Sequence, residues 1–261
     1  MLASCGTPDA EAPAGDAPTF VSLNPCLDAI IAEVAAPELV LALSHYSRDP
    51  AASSMDVELA ARFGVTGGTA EEVIALQPDI VLAGSFIAPA TRAALEAAGL
   101  RVETFGSPNN AAESIEQIER LAALTGEPQR ATHLIAMIAQ DPPQSEHAFA
   151  ALLWQPGEIV AGANSLVHEH MQWAGLSSQS EALGLGQADR VSIERILSNP
   201  PEILLIAGDG PGQRHPALQE LEGTYVASFE PSLFYCAGPS IPAARARLTS
   251  IVEEAARELG Q

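Results

Sequence analysis

A short pattern that occurs twice is the feature that most constrains the fold of this chain. Residues 69–82 read TAEEVIALQPDIVL, and residues 192–205 read SIERILSNPPEILL. Each copy has a hydroxyl residue, a glutamate two positions later, an apolar pair, a proline followed by an acid, and an apolar run. This order predicts a short N-capped helix that ends near a proline and leads into a buried strand. Two copies of one unit predict two similar lobes.

Short apolar runs alternate with helical patterns from Thr19 onward, which is typical of an α/β protein with mostly parallel sheets. Asn110 and Glu113 form a capping box that opens one of the amphipathic helices. The predicted strands are 20–23, 39–43, 80–83, 102–105, 150–154, 203–207 and 226–229. We therefore predict two lobes with mostly parallel sheets, joined by a linking helix, and a ligand cleft between the lobes.

Proline and glycine set the predicted boundaries of these parts. Residues 1–18 are almost all small, proline or acidic, which predicts a flexible leader. A helical stretch with proline and glycine on both sides predicts the linking helix at 126–148. The N-terminal lobe is then 19–125, and the C-terminal lobe is 149–261.

Within the leader, residues 2–5 read LASC, which resembles the lipobox of bacterial lipoproteins. This motif predicts that Cys5 carries lipid and that the folded part lies outside the cytoplasm. The basic and apolar regions that normally precede such a box are missing, so a disordered N-terminus with a free thiol is the alternative.

Charge and hydropathy exclude several classes of partner. The chain has 33 acidic residues and 12 basic residues, all of them arginine, for a net charge of -21. Nucleic acid and anionic membrane surfaces are therefore disfavoured. No run of about 18 apolar residues occurs, so the sequence predicts no membrane-spanning helix.

Five segments carry a resemblance to a known family: SLNPC at 22–26, SHYSRDP at 44–50, EEVIALQPDIVLAG at 71–84, GANSL at 162–166, and the second copy of the repeat at 192–206. Together they resemble the substrate-binding proteins of ABC importers for cobalamin, ferric siderophores and haem. The resemblance covers nearly everything after Thr19. It implies a monomeric, two-lobed periplasmic receptor with a helical backbone. Such a receptor has no cofactor of its own, catalyses no reaction, and delivers a bulky metal-containing cofactor to an inner-membrane ABC permease.

The resemblance also implies a docking role for Glu71 and Glu194, which match the acidic residues that such receptors present to arginine pockets of the permease. Both lie in the first turn of equivalent predicted helices. An acid near a helix N-terminus also interacts favourably with the helix dipole, by about 0.3–1 kcal/mol, and this is the alternative explanation.

Ligands of open α/β sheets bind beyond the carboxyl ends of the strands. Flat aromatic faces at these ends suit a corrin or porphyrin ring. Tyr46, Phe234 and Tyr235 resemble the contact residues of a cobalamin-binding relative, which favours cobalamin, with haem and ferric siderophores as alternatives. Trp154 and Phe86 have a second interpretation, as a core anchor and as a cover over the sheet. The predicted cleft residues are Asn24, Pro25, Cys26, His45, Tyr46, Arg48, Phe86, Trp154, Phe234 and Tyr235.

Several polar positions in this cleft have open roles. His45 is a candidate ligand for haem iron or corrinoid cobalt, or a loop histidine in a hydrogen bond. Arg48 either contacts the ligand or pairs with a surface acid. A siderophore with many negative charges needs several basic cleft residues, and Arg48 is the single one in the predicted cleft, so anionic siderophores are disfavoured. Cys26 and Cys236 lie at strand ends of opposite lobes. In an oxidising compartment we expect them to form a disulfide, with two reduced thiols or a thiolate contact to a metal as the alternatives.

Enzyme and metal-receptor alternatives have weaker support. Histidines two positions apart point to opposite sides of a helix, so His168, Glu169 and His170 cannot chelate one ion as HExxH does. We expect them on a solvated helix face. Ser165 lacks the GxSxG pattern of a hydrolase nucleophile. A zinc or manganese receptor needs three or four converging ligands, and only His45 lies in a predicted cleft loop.

Overall fold

The computed structural model describes residues 17–144 and 147–260 of the chain. Cys5, the predicted lipid attachment site, lies outside the described residues, as does most of the predicted leader. Within the described ranges, the helices are too short or too polar to cross a membrane.

Parallel strands form the sheet of the N-terminal lobe: β1 (Phe20–Ser22), β2 (Val40–Ser44), β3 (Val65–Thr66), β4 (Ile80–Gly84) and β5 (Arg101–Phe105). Their order across the sheet is β3-β2-β1-β4-β5. Because each parallel connection returns through a crossover, all these strands end at the same edge of the sheet. The helices of this lobe are α1 (Pro25–Val34), α2 (Val57–Ala60), α3 (Ala70–Leu76), α4 (Pro89–Ala97) and α5 (Ala111–Thr125).

The C-terminal lobe holds a second sheet, with strands β6 (Ala150–Gln155), β7 (Ile159–Val160), β8 (Ser177–Ser178), β9 (Ile203–Ile206) and β10 (Tyr225–Ser228). β6 pairs in parallel with β8 and β9, and β9 pairs in parallel with β10, whereas β7 is antiparallel to β6. The helices of this half are α7 (Leu166–Trp173), α8 (Gln179–Ala182), α9 (Ile193–Ser198) and α10 (Ser240–Leu259).

The strands predicted from apolar runs are all present, each within one residue at either end, and the predicted α/β class with two mostly parallel sheets is confirmed. Such strands are apolar on both faces because helices cover both faces of the sheet. In β6, Leu153 packs in one core layer with Leu248 of α10, and Leu152 packs in the opposite layer with Leu204. The two-residue strands β3, β7 and β8 are too short to be predicted from an apolar run.

Both copies of the repeated pattern form a helix that leads into a buried strand, α3 before β4 and α9 before β9. The Thr69 hydroxyl accepts a hydrogen bond from a backbone N–H of the first turn at 3.3 Å, as an N-cap. Ser192 occupies the predicted N-cap position of α9, but its side chain accepts no such bond. Hydrogen bonds from the backbone N–H of Glu194 and from the Ser192 hydroxyl instead hold the pKa of the Glu194 carboxyl below its usual range.

The segment between the lobes is less helical than the sequence predicts. A 3₁₀ turn (Pro128–Ala131) precedes α6 (Thr132–Ile138), and the remaining described residues of 126–148 are non-helical. Gly126 ends α5 with a φ of +79°, a conformation that glycine adopts without strain. The division of the chain into 19–125, 126–148 and 149–261 remains our proposal.

Helix α10 packs in the cores of both lobes. Ile241, near its start, belongs to the N-terminal core, whereas Leu248 and later apolar residues belong to the C-terminal core. Arg245 lies between them, is 4% exposed, and donates a hydrogen bond to the Ile138 carbonyl at 2.6 Å. The two lobes are thus joined by buried contacts as well as by the linking segment.

A disulfide joins Cys26, in the first turn of α1, to Cys236, which precedes α10. The Cα atoms of the two residues are 5.1 Å apart. Of the arrangements that the sequence leaves open, this is the one in the structure. The bond ties the N-terminal lobe to the segment that leads into α10, and the Cys236 N–H also donates to the Ser54 hydroxyl at 3.1 Å.

The solvated histidine face predicted for α7 is wrong. His168 is 8% exposed and His170 is 1% exposed. Helix α7 packs against α10, whose Arg245 influences His170, whereas His168 lies 3.5 Å from the Glu181 carboxylate of α8. Burial and the charge of Arg245 lower the pKa of His170 from 6.5 to about 3. His170 is therefore neutral in the folded protein near neutral pH.

Replacing both Cys26 and Cys236 with serine should lower the free energy of unfolding by about 2–5 kcal/mol, because the bond constrains a long loop in the unfolded chain. Denaturant titration of the variant and the wild type measures the difference. Wild-type protein treated with a reductant is the control and should match the variant. A double-serine variant as stable as the oxidised wild type would contradict this role.

The depressed pKa of His170 predicts a loss of stability in acid. Below pH 6.5 the unfolded chain binds a proton on this ring that the folded chain does not, so stability falls as the pH decreases from 6.5 towards 3. His170→Phe should remove this component, which amounts to about 2 kcal/mol at about pH 5. Unfolding free energies between about pH 5 and pH 8 measure it. His133→Phe, at an exposed position of α6, is the matched control. An identical pH slope in both variants would refute the prediction.

Candidate functional site

A cavity of 850 Å³ lies between the two lobes. The loops that follow β1 to β5 all line it, as the strand-end rule predicts for a parallel sheet. The C-terminal lobe contributes the end of β6, strand β7, the start of α7 and the segment before α10. The volume lies within the range of sites that enclose small molecules and cofactors, about 300–1,000 Å³.

Exposed aromatic rings form the N-terminal wall of the cavity. Tyr46 follows β2, is 51% exposed, and has its ring centroid 4.1 Å from that of His45. Phe86 follows β4 and is 93% exposed, so its interpretation as a cover over the sheet is wrong. All three side chains line the cavity and are open to contact by a ligand.

Asn24 lines the cavity as the N-cap of α1. Its Oδ1 accepts hydrogen bonds from the N–H groups of Cys26 at 2.9 Å and Leu27 at 3.2 Å. A Cβ atom at position 84 would lie 2.8 Å from the Asn24 Nδ2, so Gly84 leaves the space that this amide needs. The Asn24 side chain is therefore held by hydrogen bonds from α1, in the space that Gly84 of β4 leaves open.

The C-terminal wall carries the aromatic pair predicted there. Phe234 stacks on the buried Phe229 with ring centroids 5.8 Å apart. Tyr235 is 46% exposed, and its neighbour Cys236 is bonded to Cys26. Since Cys26 also lines the cavity, the disulfide connects the two walls directly.

The described lining of the cavity contains no arginine, aspartate or glutamate, although the chain has a net charge of -21. His45 contributes an imidazole to this lining. Such a surface can hydrogen-bond neutral polar groups but supplies no fixed counterion to an ionised one. The other polar side chains are amides and hydroxyls: Asn24, Asn109, Gln117, Gln155, Gln187, Ser44, Ser85, Thr91, Ser107, Ser165, Tyr46 and Tyr235.

Three predicted cleft residues, Trp154, Arg48 and Pro25, do not line the cavity. Trp154 is 1% exposed, and its indole N–H donates to the Val191 carbonyl at 2.8 Å, so it is a core anchor. The Trp154 side chain packs in the core layer on the face of the sheet opposite α10. The Arg48 guanidinium donates to the Phe63 carbonyl at 2.8 Å and does not reach the cavity. Pro25 forms the first position of α1, between two residues that do line the cavity.

The sequence interpretation missed part of the lining. Residues 106–109 follow β5, so the strand-end rule itself would have found them. Gly67 and Gly68 follow β3, a strand too short to be predicted. Gln117 lies on α5 and Gln187 lies in an irregular loop, and no local pattern distinguishes them from other polar surface residues.

Glu71 and Glu194 lie outside the cavity. Each is exposed and occupies the second position of its helix, α3 or α9. The structure thus places the two carboxylates at the same helix position on the two lobes. For metal binding, the described residues contain no group of three or more His, Cys, Asp or Glu side chains that could hold an ion.

Comparison with known proteins gives the chain a family. The model of the family described as periplasmic binding protein matches residues 20–225. No curated protein matches the chain. Among solved structures, the periplasmic haem-binding protein RhuT from Roseiflexus sp. RS-1 has 22% identity and a TM-score of 0.68, covering 92% of this chain and 99% of that chain. The vitamin B12 binding protein BtuF of Vibrio cholerae has 17% identity and a TM-score of 0.64, covering 92% and 98%.

The haem-binding protein HutB of Vibrio cholerae has 16% identity and a TM-score of 0.70, covering 90% of this chain and 98% of that chain. At these identities the solved structures share the fold with this chain. The family model covers most of the described residues, places the protein outside the cytoplasm, and assigns it ligand binding rather than catalysis. The chain therefore belongs to the periplasmic binding protein family.

Proposed function

We propose that this protein captures a cobalamin-like corrinoid in the cleft and delivers it to an ABC permease, as a substrate-binding protein of the cobalamin, siderophore and haem class. Solved relatives with the same fold bind haem and vitamin B12. The observation that supports a corrinoid is the described cavity lining, which contains amides, hydroxyls and exposed aromatic rings but no arginine, aspartate or glutamate.

The chemistry of a corrin matches this lining. The ring is broad and flat, and its periphery carries neutral carboxamide groups. Asparagine and glutamine side chains both donate and accept hydrogen bonds, so they pair with such groups without any net charge. Tyr46 and Tyr235 offer exposed faces on opposite walls for contact with the ring. An uncompensated ionised group is costly to bury, so a ligand whose buried part carries only neutral groups, as the corrin ring with its carboxamides does, fits best.

Haem is the second candidate, and the adjacent His45 and Tyr46 rings are the observation that favours it. Imidazole and phenolate groups are both ligands of haem iron. The two propionates of haem, however, find no arginine in the described lining, because Arg48 is bonded to a backbone carbonyl elsewhere. A neutral ferric siderophore avoids that penalty but brings no flat ring to the aromatic walls.

Isothermal titration calorimetry with cyanocobalamin, haemin, a neutral ferric hydroxamate and an anionic ferric catecholate tests the ligand. We expect cyanocobalamin to bind at least about tenfold more tightly than the other three. Tyr46→Ala should weaken this binding about tenfold, and Val226→Ala, at an exposed position of β10, is the control. If haemin binds most tightly, haem and not a corrinoid is the ligand of the cleft. Tightest binding of the catecholate would contradict selection by an uncharged lining.

We also propose that Glu71 and Glu194 contact basic pockets of the permease. Each carboxylate is exposed, lies outside the cavity, and occupies the same position in one copy of the repeat. Two equivalent acids on two lobes complement a partner with two equivalent basic sites. The two residues are therefore free to bind the permease while the cleft holds its ligand.

Glu71→Ala combined with Glu194→Ala should leave corrinoid affinity unchanged and reduce uptake of labelled cyanocobalamin at least about tenfold in cells that encode the permease. Glu119→Ala with Glu258→Ala removes two exposed helix acids elsewhere and is the matched control. Normal uptake by the Glu71, Glu194 variant would remove the docking proposal. If the control variant loses uptake to the same extent, the effect comes from the change in overall charge and not from these two residues.

A further inference from the structure

A buried carboxylate lies directly behind the N-terminal wall of the cleft. Asp28, in the first turn of α1, is 0% exposed. Its Oδ2 accepts hydrogen bonds from the Ser44 N–H at 2.9 Å and from the Ser47 hydroxyl at 2.6 Å, while its Oδ1 has no partner. Burying a carboxylate costs free energy. The positions of its two hydrogen-bond donors indicate what this buried group does.

The two donors lie on either side of the aromatic pair. Ser44 ends β2, and its hydroxyl accepts a hydrogen bond from the Tyr46 N–H at 3.3 Å, which starts the 3₁₀ turn His45–Arg48. Ser47 lies within the same turn and is 1% exposed. The carboxylate therefore binds the chain on both sides of His45 and Tyr46, through the Ser44 backbone N–H and the Ser47 side chain.

The two rings have no comparable support from their own polar groups. In the described part of the chain, neither the His45 imidazole nor the Tyr46 hydroxyl makes a hydrogen bond, and the rings contact each other at the cavity surface. Their position thus depends on the backbone of the turn, which Asp28 fixes.

We propose that Asp28 is a positioning residue for ligand capture, which sets the His45–Tyr46 turn so that both rings face the ligand. This inference rests on the proposed function of the cleft. Asp28 itself touches no ligand, because it does not line the cavity.

The surroundings of Asp28 strengthen the bonds that it accepts. Burial raises the pKa of Asp28 from 3.8 to about 7, against the nearby Ser22 hydroxyl and the hydrogen bonds from the Ser47 hydroxyl and the Ser44 N–H, which lower it. A desolvated carboxylate forms stronger hydrogen bonds than a solvated one, and ionised acceptors bind donors more strongly than neutral ones. The experiments below are therefore made at about pH 8.5, where this carboxylate is ionised.

The variants are chosen to separate positioning from folding. Ser47→Ala removes one of the two bonds and leaves the carboxylate in place, and Asp28→Asn keeps the shape and one acceptor oxygen. Asp79→Asn is the matched control, because Asp79 also accepts two hydrogen bonds, from the N–H and hydroxyl of Thr19, at the end of the sheet opposite the cleft. Ser47→Ala keeps the test decisive if Asp28→Asn does not fold.

A measurement without ligand tests the positioning itself. The chain has three tyrosines, so ¹⁹F NMR of protein labelled with 3-fluorotyrosine resolves Tyr46 from Tyr225, which bonds Glu254 in the C-terminal lobe. We expect Ser47→Ala and Asp28→Asn to shift or broaden the Tyr46 resonance, with Tyr225 unchanged and with no change in Asp79→Asn. An unaltered Tyr46 resonance in both variants would overturn the proposal, whatever the ligand proves to be.

A double-mutant cycle with cyanocobalamin tests the consequence for binding. Ser47→Ala should weaken binding about fivefold in the wild-type background, and less than about twofold when His45→Ala and Tyr46→Ala are already present. An equal loss in both backgrounds would show that Asp28 and Ser47 act on general stability, and would overturn the proposal. If the wild type binds no member of the ligand panel, the proposed function fails, and the NMR result alone decides the positioning role.

Discussion

Parallel strand pairing is the constraint on which the rest of this structure depends. Parallel strands need crossover connections, so the strands of the N-terminal sheet all end at one edge. The loops at that edge carry Asn24, Tyr46 and Phe86, and they face the C-terminal lobe across the cavity. Helix α10 packs in both cores, and the Cys26–Cys236 disulfide joins the two cavity walls. The cleft therefore follows from sheet topology and from the contacts that hold the lobes together, rather than from any single side chain.

The cavity and the exterior of the protein differ sharply in charge. The exterior of this chain is strongly acidic, whereas its described cavity lining has neither acidic residues nor arginine. An uncharged lining binds neutral polar groups by hydrogen bonds and ring contacts, and it rejects ionised groups because their desolvation is not compensated. Acidic residues outside the cavity, with Glu71 and Glu194 in equivalent places, suit recognition of a basic partner. On our proposal, ligand choice and partner choice thus use different physical interactions at separate places on the molecule.

Features with a local signal were predicted from the sequence, and features set by tertiary packing were not. Apolar runs gave the longer strands, and Asn110 accepts the capping bond at the start of α5 as predicted. Trp154 was misassigned because a strand end has two faces, and packing decides which face meets the cavity. His170 was misassigned because helical periodicity defines a face but does not say that another helix covers it. Asp28 has no sequence pattern, since its donors come from β2 and the turn that follows it.

The central claim is that an uncharged cleft between two parallel-sheet lobes holds a neutral, amide-rich ring. A crystal structure of the protein grown with cyanocobalamin tests this claim most directly. The account predicts a corrin ring between Tyr46 and Tyr235, with its carboxamides bonded to the asparagine and glutamine side chains of the lining. A corrinoid bound elsewhere on the surface, or a cleft that stays closed to it at saturating concentration, would contradict the account.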